Sequence, residues 1–322
     1  MSAAPAFALR PNFVYDKVIN WFPGHMAKGL RVMREKMASV DLIVEARDAR
    51  ISYDNMNYCI LEPADMADET KEQMIIDAFK DFRNQTVLFT NAIADKNVRK
   101  IIDFAADKTK QDSMKYPFVT VLVVGMPNVG KSSLINSMRR LGVHKGKAAK
   151  TGAMPGVTRS VEGTIKVLED PTVYLIDTPG VMVPYIADPI SSLKVALTGG
   201  VRYDVADKEV MADYLLWRLN HFNNFSYVDL FRLPEPTDDI TVLLPAIARR
   251  IGALQKGREY DLDQAATFFL KYYRTGRFGR YTLDDVTPEI LQEYLLTPRT
   301  DALNKGRADA VVGCLLKMRT RD

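Results

Sequence analysis

The chain has 322 residues, 47% hydrophobic and 26% charged, enough for one large or two ordinary domains whose core needs no staples. Its two cysteines, Cys59 and Cys314, exclude a disulfide framework and a cysteine metal cluster, and suit a reducing compartment. Lys and Arg outnumber Asp and Glu by 44 to 40, too slight an excess to argue for a nucleic-acid partner without local clustering. No apolar run reaches the length of a membrane-spanning helix.

The first fifteen residues carry no acid and a single Arg, a composition that fits either a short mitochondrial presequence or a frayed terminus. In GLRVMREKMASV, residues 29–40, Leu30, Met33, Met37 and Val40 share a helical face. DLIVEA at 41–46 follows as a short buried strand, and NYCIL at 57–61 is a candidate strand. Residues 70–82 are helical in period through Met74, Ile75, Ala78, Phe79 and Phe82. TVLFT at 86–90 predicts a strand, and Val98, Ile101, Ile102 and Ala105 mark the next helix. FVTVLVV at 118–124 and TVYLI at 172–176 are continuous apolar runs, as strands buried on both faces are. Strands alternating with helices predict an α/β fold with a mostly parallel sheet. Beyond about residue 185 the stretches 207–222, 261–274 and 300–319 are helical in period, interrupted by RLPEPTDD at 232–239. The expected organisation is an N-terminal extension over 1–20, an α/β domain over 21–185 and a separate all-α domain over 186–322.

Residues 125–132, Gly125-Met126-Pro127-Asn128-Val129-Gly130-Lys131-Ser132, read G-x-x-x-x-G-K-S between a strand and a helical stretch. The glycines let the backbone curl its N–H groups around a phosphate, and the following helix adds its positive end. The N–H groups of Asn128, Val129, Gly130 and Ser133 are expected at the phosphates, Lys131 at the outer ones, and the Ser132 hydroxyl on Mg²⁺. Asp177-Thr178-Pro179-Gly180 ends the second buried strand. There Asp177 orients Mg²⁺ and the Gly180 N–H meets the γ-phosphate. Between these lies Pro155-Gly156-Val157-Thr158-Arg159, with Thr158 the candidate for touching Mg²⁺ and the γ-phosphate. Residues 134–160 hold no acid but carry Arg139, Arg140, Lys145, Lys147, Lys150 and Arg159. Such a loop is either a solvated basic loop or a switch that orders on triphosphate and can touch RNA phosphates.

A guanine-reading N-K-x-D normally follows D-x-x-G, but none follows Gly180; Asn304-Lys305 leads into Gly306-Arg307. The missing core elements lie upstream, which implies a circular permutation. WFPGHMAK at 21–28, VDLIVEARDARI at 40–51, GMPNVGKSSLIN at 125–136, PGVTRS at 155–160, DTPGV at 177–181 and LDQAATFFLKYYRTGRFGR at 262–280 together resemble the circularly permuted ribosome-assembly GTPases, in their mitochondrial ribosome-associated branch. The resemblance implies a GTPase that binds GTP or GDP with Mg²⁺ and assembles the large subunit of the mitochondrial ribosome. It also implies contact with rRNA and not DNA, a matrix location with peripheral association with the inner membrane, and a monomer.

The resemblance places N-K-x-D near residues 62–65, where this chain has Glu62-Pro63-Ala64-Asp65. Asp65 is either the remaining guanine-reading acid or a surface acid opening a helix. Only ten residues, 47–56, separate DLIVEA from NYCIL, short of a parallel crossover, so a strand is expected to be lost or the topology altered. Thr90-Asn91-Ala92 resembles the family's second base-contacting loop, or is a turn at a strand end. Val181 stands where a water-positioning Gln would, and the resemblance assigns that role to His25. Asn128 resembles the Asn that recruits K⁺ in some relatives. Around Tyr260, Phe268, Phe269, Tyr272, Tyr273, Phe278 and Tyr281 lie Lys256, Arg258, Lys271, Arg274, Arg277 and Arg280, either an RNA surface or a packed amphipathic helix. Two other readings stay open: a ribosome-bound scaffold with an eroded base site, and an ATPase.

Overall fold

The computed structural model describes residues 8–17, 19, 31, 33, 35–36, 39–51, 59–62, 66–144, 164–178, 186, 188–202 and 205–296. The strands are β1 (Leu42–Asp48), β2 (Cys59–Glu62), β3 (Val87–Phe89), β4 (Val119–Gly125), β5 (Thr164–Leu168) and β6 (Val173–Asp177). The helices are α1 (Glu69–Arg83), α2 (Val98–Gln111), α3 (Lys131–Val143), α4 (Pro189–Thr198), α5 (Lys208–His221), α6 (Ser226–Phe231), α7 (Ile240–Ile251), α8 (Leu262–Arg274) and α9 (Pro288–Leu296).

The strands form one sheet in the order β3-β2-β1-β4-β6-β5. Every pairing is parallel except that of β5 with β6. β4 is buried along its whole length. Its alternate residues serve opposite faces, as the period of a strand requires. Val119, Val121 and Val123 pack with Ile101, Ile102 and Ala105 of α2 and with Leu134, Ile135 and Met138 of α3. Leu122 and Val124 pack with Met33 and Ile176 on the other face, where Ile43 and Val40 join them. Met33 and Val40 thus serve the apolar face expected of residues 29–40.

β2 takes its place between β1 and β3, pairing in parallel from Glu45↔Cys59 to Asp48↔Glu62. No strand is lost, although residues 49–58 make a shorter connection than a helical crossover. β5 lies at the sheet edge, with Thr164 and Lys166 exposed and Val167 buried. An edge strand half in water leaves little apolar signal, and sequence reading missed it.

The described residues fall into two compact units, within Trp21–Tyr185 plus Arg280–Asp322 and within Met1–Asn20 plus Ile186–Gly279. These boundaries differ from those expected. In the sheet unit, Leu283 N donates to Arg50 O (2.7 Å) and Tyr281 N to Met66 O (3.1 Å). Leu291 and Leu295 of α9 join Ile75 and Phe79 of α1 and Phe89 of β3 in one core. In the helical unit, Arg10 holds Asp213 at 2.7 Å and Asp238 at 3.0 Å. Trp217 Nε1 donates to Arg10 O (2.9 Å), and Phe13 meets Tyr214 edge-on. Over residues 8–17 the expected extension is part of this unit. The helix expected at 300–319 lies outside the described residues.

Gly142, near the end of α3, lies so close to β5 that a Cβ there would sit 1.7 Å from Val167 O. Gly142→Ala must push α3 off the edge strand, and is expected to lower stability by ~1–3 kcal/mol in denaturant unfolding.

Candidate nucleotide-binding site

Because β1, β2, β3, β4 and β6 run parallel, the loops after them gather at one edge, where open α/β sheets bind ligands. The loop after β4 is the G-x-x-x-x-G-K-S segment. Gly125 pairs with Ala46 and has φ +142°, with any Cβ 2.0 Å from Ala46 O. A side chain here would force β1 and β4 apart where the loop begins. Asn128 (φ 61°) and Gly130 (φ 90°) are both left-handed, and they curl the backbone into an anion-binding concavity. Gly130 caps α3 without a side-chain hydrogen bond, so the first-turn N–H groups near Ser132 and Ser133 can serve an outside anion. Val129 is buried and anchors the loop.

Lys131 is buried, with Nζ donating to Gly125 O (3.1 Å) and Met126 O (2.6 Å). Burial pushes its pKa down to about 8, and the charge of Asp177 works in the opposite direction. Asp177 is 1% exposed and ends β6 in register with Val123. Thr178 Oγ1 donates to Val123 O at 2.6 Å and fixes the strand end beside it. An ammonium, a carboxylate and a curl of N–H groups thus share one edge. Mg²⁺ binds through one or two protein oxygens together with phosphates, and Ser132 and Asp177 fit that demand. Among the described residues no group of three or more His, Cys, Asp or Glu could hold a metal unaided.

The loop after β3 lies on the same edge. Thr90 is fully buried and Asn91 nearly so. Asn91 Oδ1 accepts from Ile93 N (2.9 Å) and Ala94 N (3.0 Å), its backbone pairs with Lys96, and Asn97 Nδ2 donates to Phe89 O (2.9 Å). The Asn91 oxygen therefore shapes its own loop. Sequence reasoning missed Asp95, which reaches from this loop to Ser137 and Arg140 of α3. No local pattern signals a contact across that sequence separation. His25, Asp65, Thr158 and Gly180 lie outside the described residues.

The helical unit sorts the basic and aromatic residues of 256–280. Phe269, Tyr273 and Phe278 are core, and Phe268 and Tyr272 are half-buried. Arg274 caps α4, donating to Leu197 O (2.9 Å) and Ala196 O (2.6 Å). Arg280 instead pairs with Glu69 in the sheet unit. Lys271 and Arg277 are exposed, and so is a hairpin after α7. Leu254 bridges Tyr260, Gln255 N donates to Glu259 O (2.8 Å), and Gly257 and Arg258 turn the tip with positive φ. Lys256, Arg258, Arg249 and Arg250 are exposed around it, with Tyr260 44% exposed.

Burial of the Lys131 ammonium costs the nucleotide-free fold on the order of 3 kcal/mol at neutral pH, at ~1.4 kcal/mol per pH unit between about 8 and 10.5. Below about pH 8 both states hold the proton and the cost is fully present. Between 8 and 10.5 the unfolded chain binds more protons, so stability recovers as pH rises. Lys131→Met is expected to raise the Tm of the nucleotide-free protein near pH 7, by a margin that shrinks toward roughly pH 10. Added nucleoside triphosphate is expected to raise the Tm of the wild type, and this variant should lose that rise.

A family model described as a 50S ribosome-binding GTPase matches residues 120–224. Mouse mitochondrial ribosome-associated GTPase 1 is 38% identical over 299 residues, 84% of this chain and 92% of that protein. Mitochondrial GTPase 1 of Aedes aegypti is 36% identical over 304 residues, 84% of this chain and 95% of that protein. Ribosome biogenesis GTPase A of Bacillus cereus is 31% identical over 291 residues, 84% of this chain and 95% of that protein. The crystal structure of GNP-bound YlqF from T. maritima shares the fold at TM-score 0.55 and 23% identity, covering 81% of this chain and 99% of that one. A phosphate-cradling strand that comes fourth in the chain, yet central in the sheet, thus has its explanation: the chain belongs to the mitochondrial ribosome-associated branch of the circularly permuted GTPases and is a GTP-hydrolysing P-loop enzyme.

Proposed function

We propose that the enzyme drives assembly of the large subunit of the mitochondrial ribosome, binding its rRNA as a monomer in the matrix, peripheral to the inner membrane. The observation that carries this reading is the phosphate cradle with buried Lys131 and Asp177 at one sheet edge, in a chain whose relatives are named for ribosome association and biogenesis. Backbone N–H groups of Asn128, Val129, Gly130 and Ser133 hold the phosphates, and Lys131 the outer ones. Ser132, Asp177 and Thr158 would hold Mg²⁺, which would offset the charge of the phosphates, and the Gly180 N–H would meet the γ-phosphate. Asp65 accepts from the guanine edge beside the loop shaped by Thr90 and Asn91. His25 orients the attacking water, and Asn128 would hold K⁺ as a second charge-neutralising ion. The water oxygen bonds to the γ-phosphorus, the bond to the β-phosphate bridging oxygen breaks, and GDP and phosphate leave. Only seven residues, 179–185, separate Thr178 from Ile186 of the helical unit. Nucleotide state is thereby passed to the RNA-binding part.

The test is turnover of GTP and ATP by the whole protein, in K⁺ and in Na⁺, with and without mitochondrial large subunits. GTP-selective hydrolysis that rises with the subunit and with K⁺ is expected, and His25→Ala should bind nucleotide while losing the stimulated part. Subunit binding without stimulated hydrolysis of either nucleotide would favour a scaffold, the reading that Glu62-Pro63 in place of Asn-Lys supports.

The exposed hairpin is the RNA contact in this proposal, because Lys256 and Arg258 present charge at a tip beside Tyr260. Reversing both charges, Lys256→Glu with Arg258→Glu, is expected to weaken large-subunit rRNA binding and flatten its dependence on log salt concentration. Nucleotide affinity should not change.

A further inference from the structure

We propose that Asp95 is a positioning residue for guanine selectivity: it latches the base loop to the helix that carries the phosphate cradle. The inference rests on the reading that the loop beginning at Thr90 borders the base.

The latch is built from two elements distant in sequence. Asp95 Oδ1 accepts from Ser137 Oγ and from Arg140 Nη2, and Oδ2 accepts from Arg140 Nε at 3.2 Å. Arg140 Nη2 also reaches Ala92 O at 3.5 Å, back in the base loop. Ser137 is fully buried on α3, the helix whose first residue is Lys131. Asp95 and Asn97 both hold left-handed backbone, which non-glycine residues rarely adopt without support. The Arg140 hydrogen bond holds the Asp95 carboxyl below the usual carboxylate range, with Ser137 adding to it against burial. An exposed ion pair alone would contribute little. A carboxylate that also accepts from a buried hydroxyl fixes a geometry.

This chain needs that geometry. Base discrimination comes from hydrogen bonds to the edge of the ring, and these fail when donors and acceptors shift by a fraction of an ångström. A full N-K-x-D would align the base from the other side, but here its Asn and Lys are replaced by Glu62 and Pro63. The loop after β3 then has to be held by something rigid, and Asp95 ties it to the phosphate helix. Through Asp95, the groups facing the phosphates and those facing the base move as one.

The test uses the whole protein and measures GDP and ADP affinity for wild type, Asp95→Ala, Arg140→Ala, Arg140→Lys and the double variant Asp95→Ala/Arg140→Ala, with a melting curve for each. Asp95→Ala is expected to weaken GDP roughly tenfold while changing ADP by less than about twofold. The double variant should be no worse than Asp95→Ala, because both remove one interaction. Arg140→Lys should recover part of the loss. In turnover, KM for GTP should rise with kcat retained. Equal losses for GDP and ADP, or none, in a protein whose wild type prefers GDP, would overturn the latch and leave the base-site reading standing. A wild type that does not prefer GDP would overturn that reading and the latch with it. If Asp95→Ala does not fold, the exposed Arg140 variants carry the same comparison.

Discussion

The joint between β1 and β4 holds the nucleotide half together. Permutation has put β1–β3 before the phosphate-binding strand and β5–β6 after it, so the two parts of the sheet meet only where β1 pairs with β4, from Leu42↔Val121 to Ala46↔Gly125. At the last pair Gly125 turns with φ +142° against Ala46 O. The carbonyl occupies the space a side chain would need, so the loop starts from a fixed point. The curl through Asn128 and Gly130, the entry of α3 and the burial of Lys131 all follow from that start. Arg50, just past the other strand, is held by Asp48 at 2.6 Å in a buried pair. Breaking such a pair by removing one partner costs about 3–5 kcal/mol.

The electrostatics of the site are set up in advance of the ligand. The Lys131 ammonium is out of water and answered by two carbonyls and the field of Asp177. Carbonyl oxygens carry only partial charge, and the result is a pKa pushed down to about 8. A phosphate beside it would favour the charged form. Burial has already weakened the hydration of the ammonium, so a phosphate beside it would act at low effective dielectric.

Much of this was legible in the sequence. The apolar runs at 118–124 and 172–176 became β4 and β6, and the periodicity through Ile101, Ile102 and Ala105 became the inner face of α2. Gly125, Gly130 and Lys131 could be read because their chemistry is local: a turn, a cap, a side chain one helical turn from its target. What could not be read is non-local. Thr164–Leu168 is an edge strand that pairs with β6 alone among the described strands. Docking of Arg10 on Asp213 and Asp238 joins residues about two hundred positions apart. The aromatics at 268–278 left an RNA surface and a packed amphipathic helix both open, and Phe269, Tyr273 and Phe278 fill the core. The alternation of base and aromatic that suits RNA also suits an amphipathic helix. Only burial separates the two.

The return of residues 280–296 to the sheet unit constrains how nucleotide state could reach the helical unit. The chain leaves the sheet after β6, next to Asp177, on the phosphate side. It comes back at Tyr281 and Leu283, which hydrogen-bond Met66 O and Arg50 O, and then packs α9 on α1 beside β3. The chain therefore passes between the two units three times, at 20–21, at 185–186 and at 279–280. The return after 279 is built on those backbone hydrogen bonds and that hydrophobic core. Of the three, the crossing at 185–186 is the one that follows Asp177-Thr178-Pro179-Gly180 directly, and it is the connection that the proposed coupling uses.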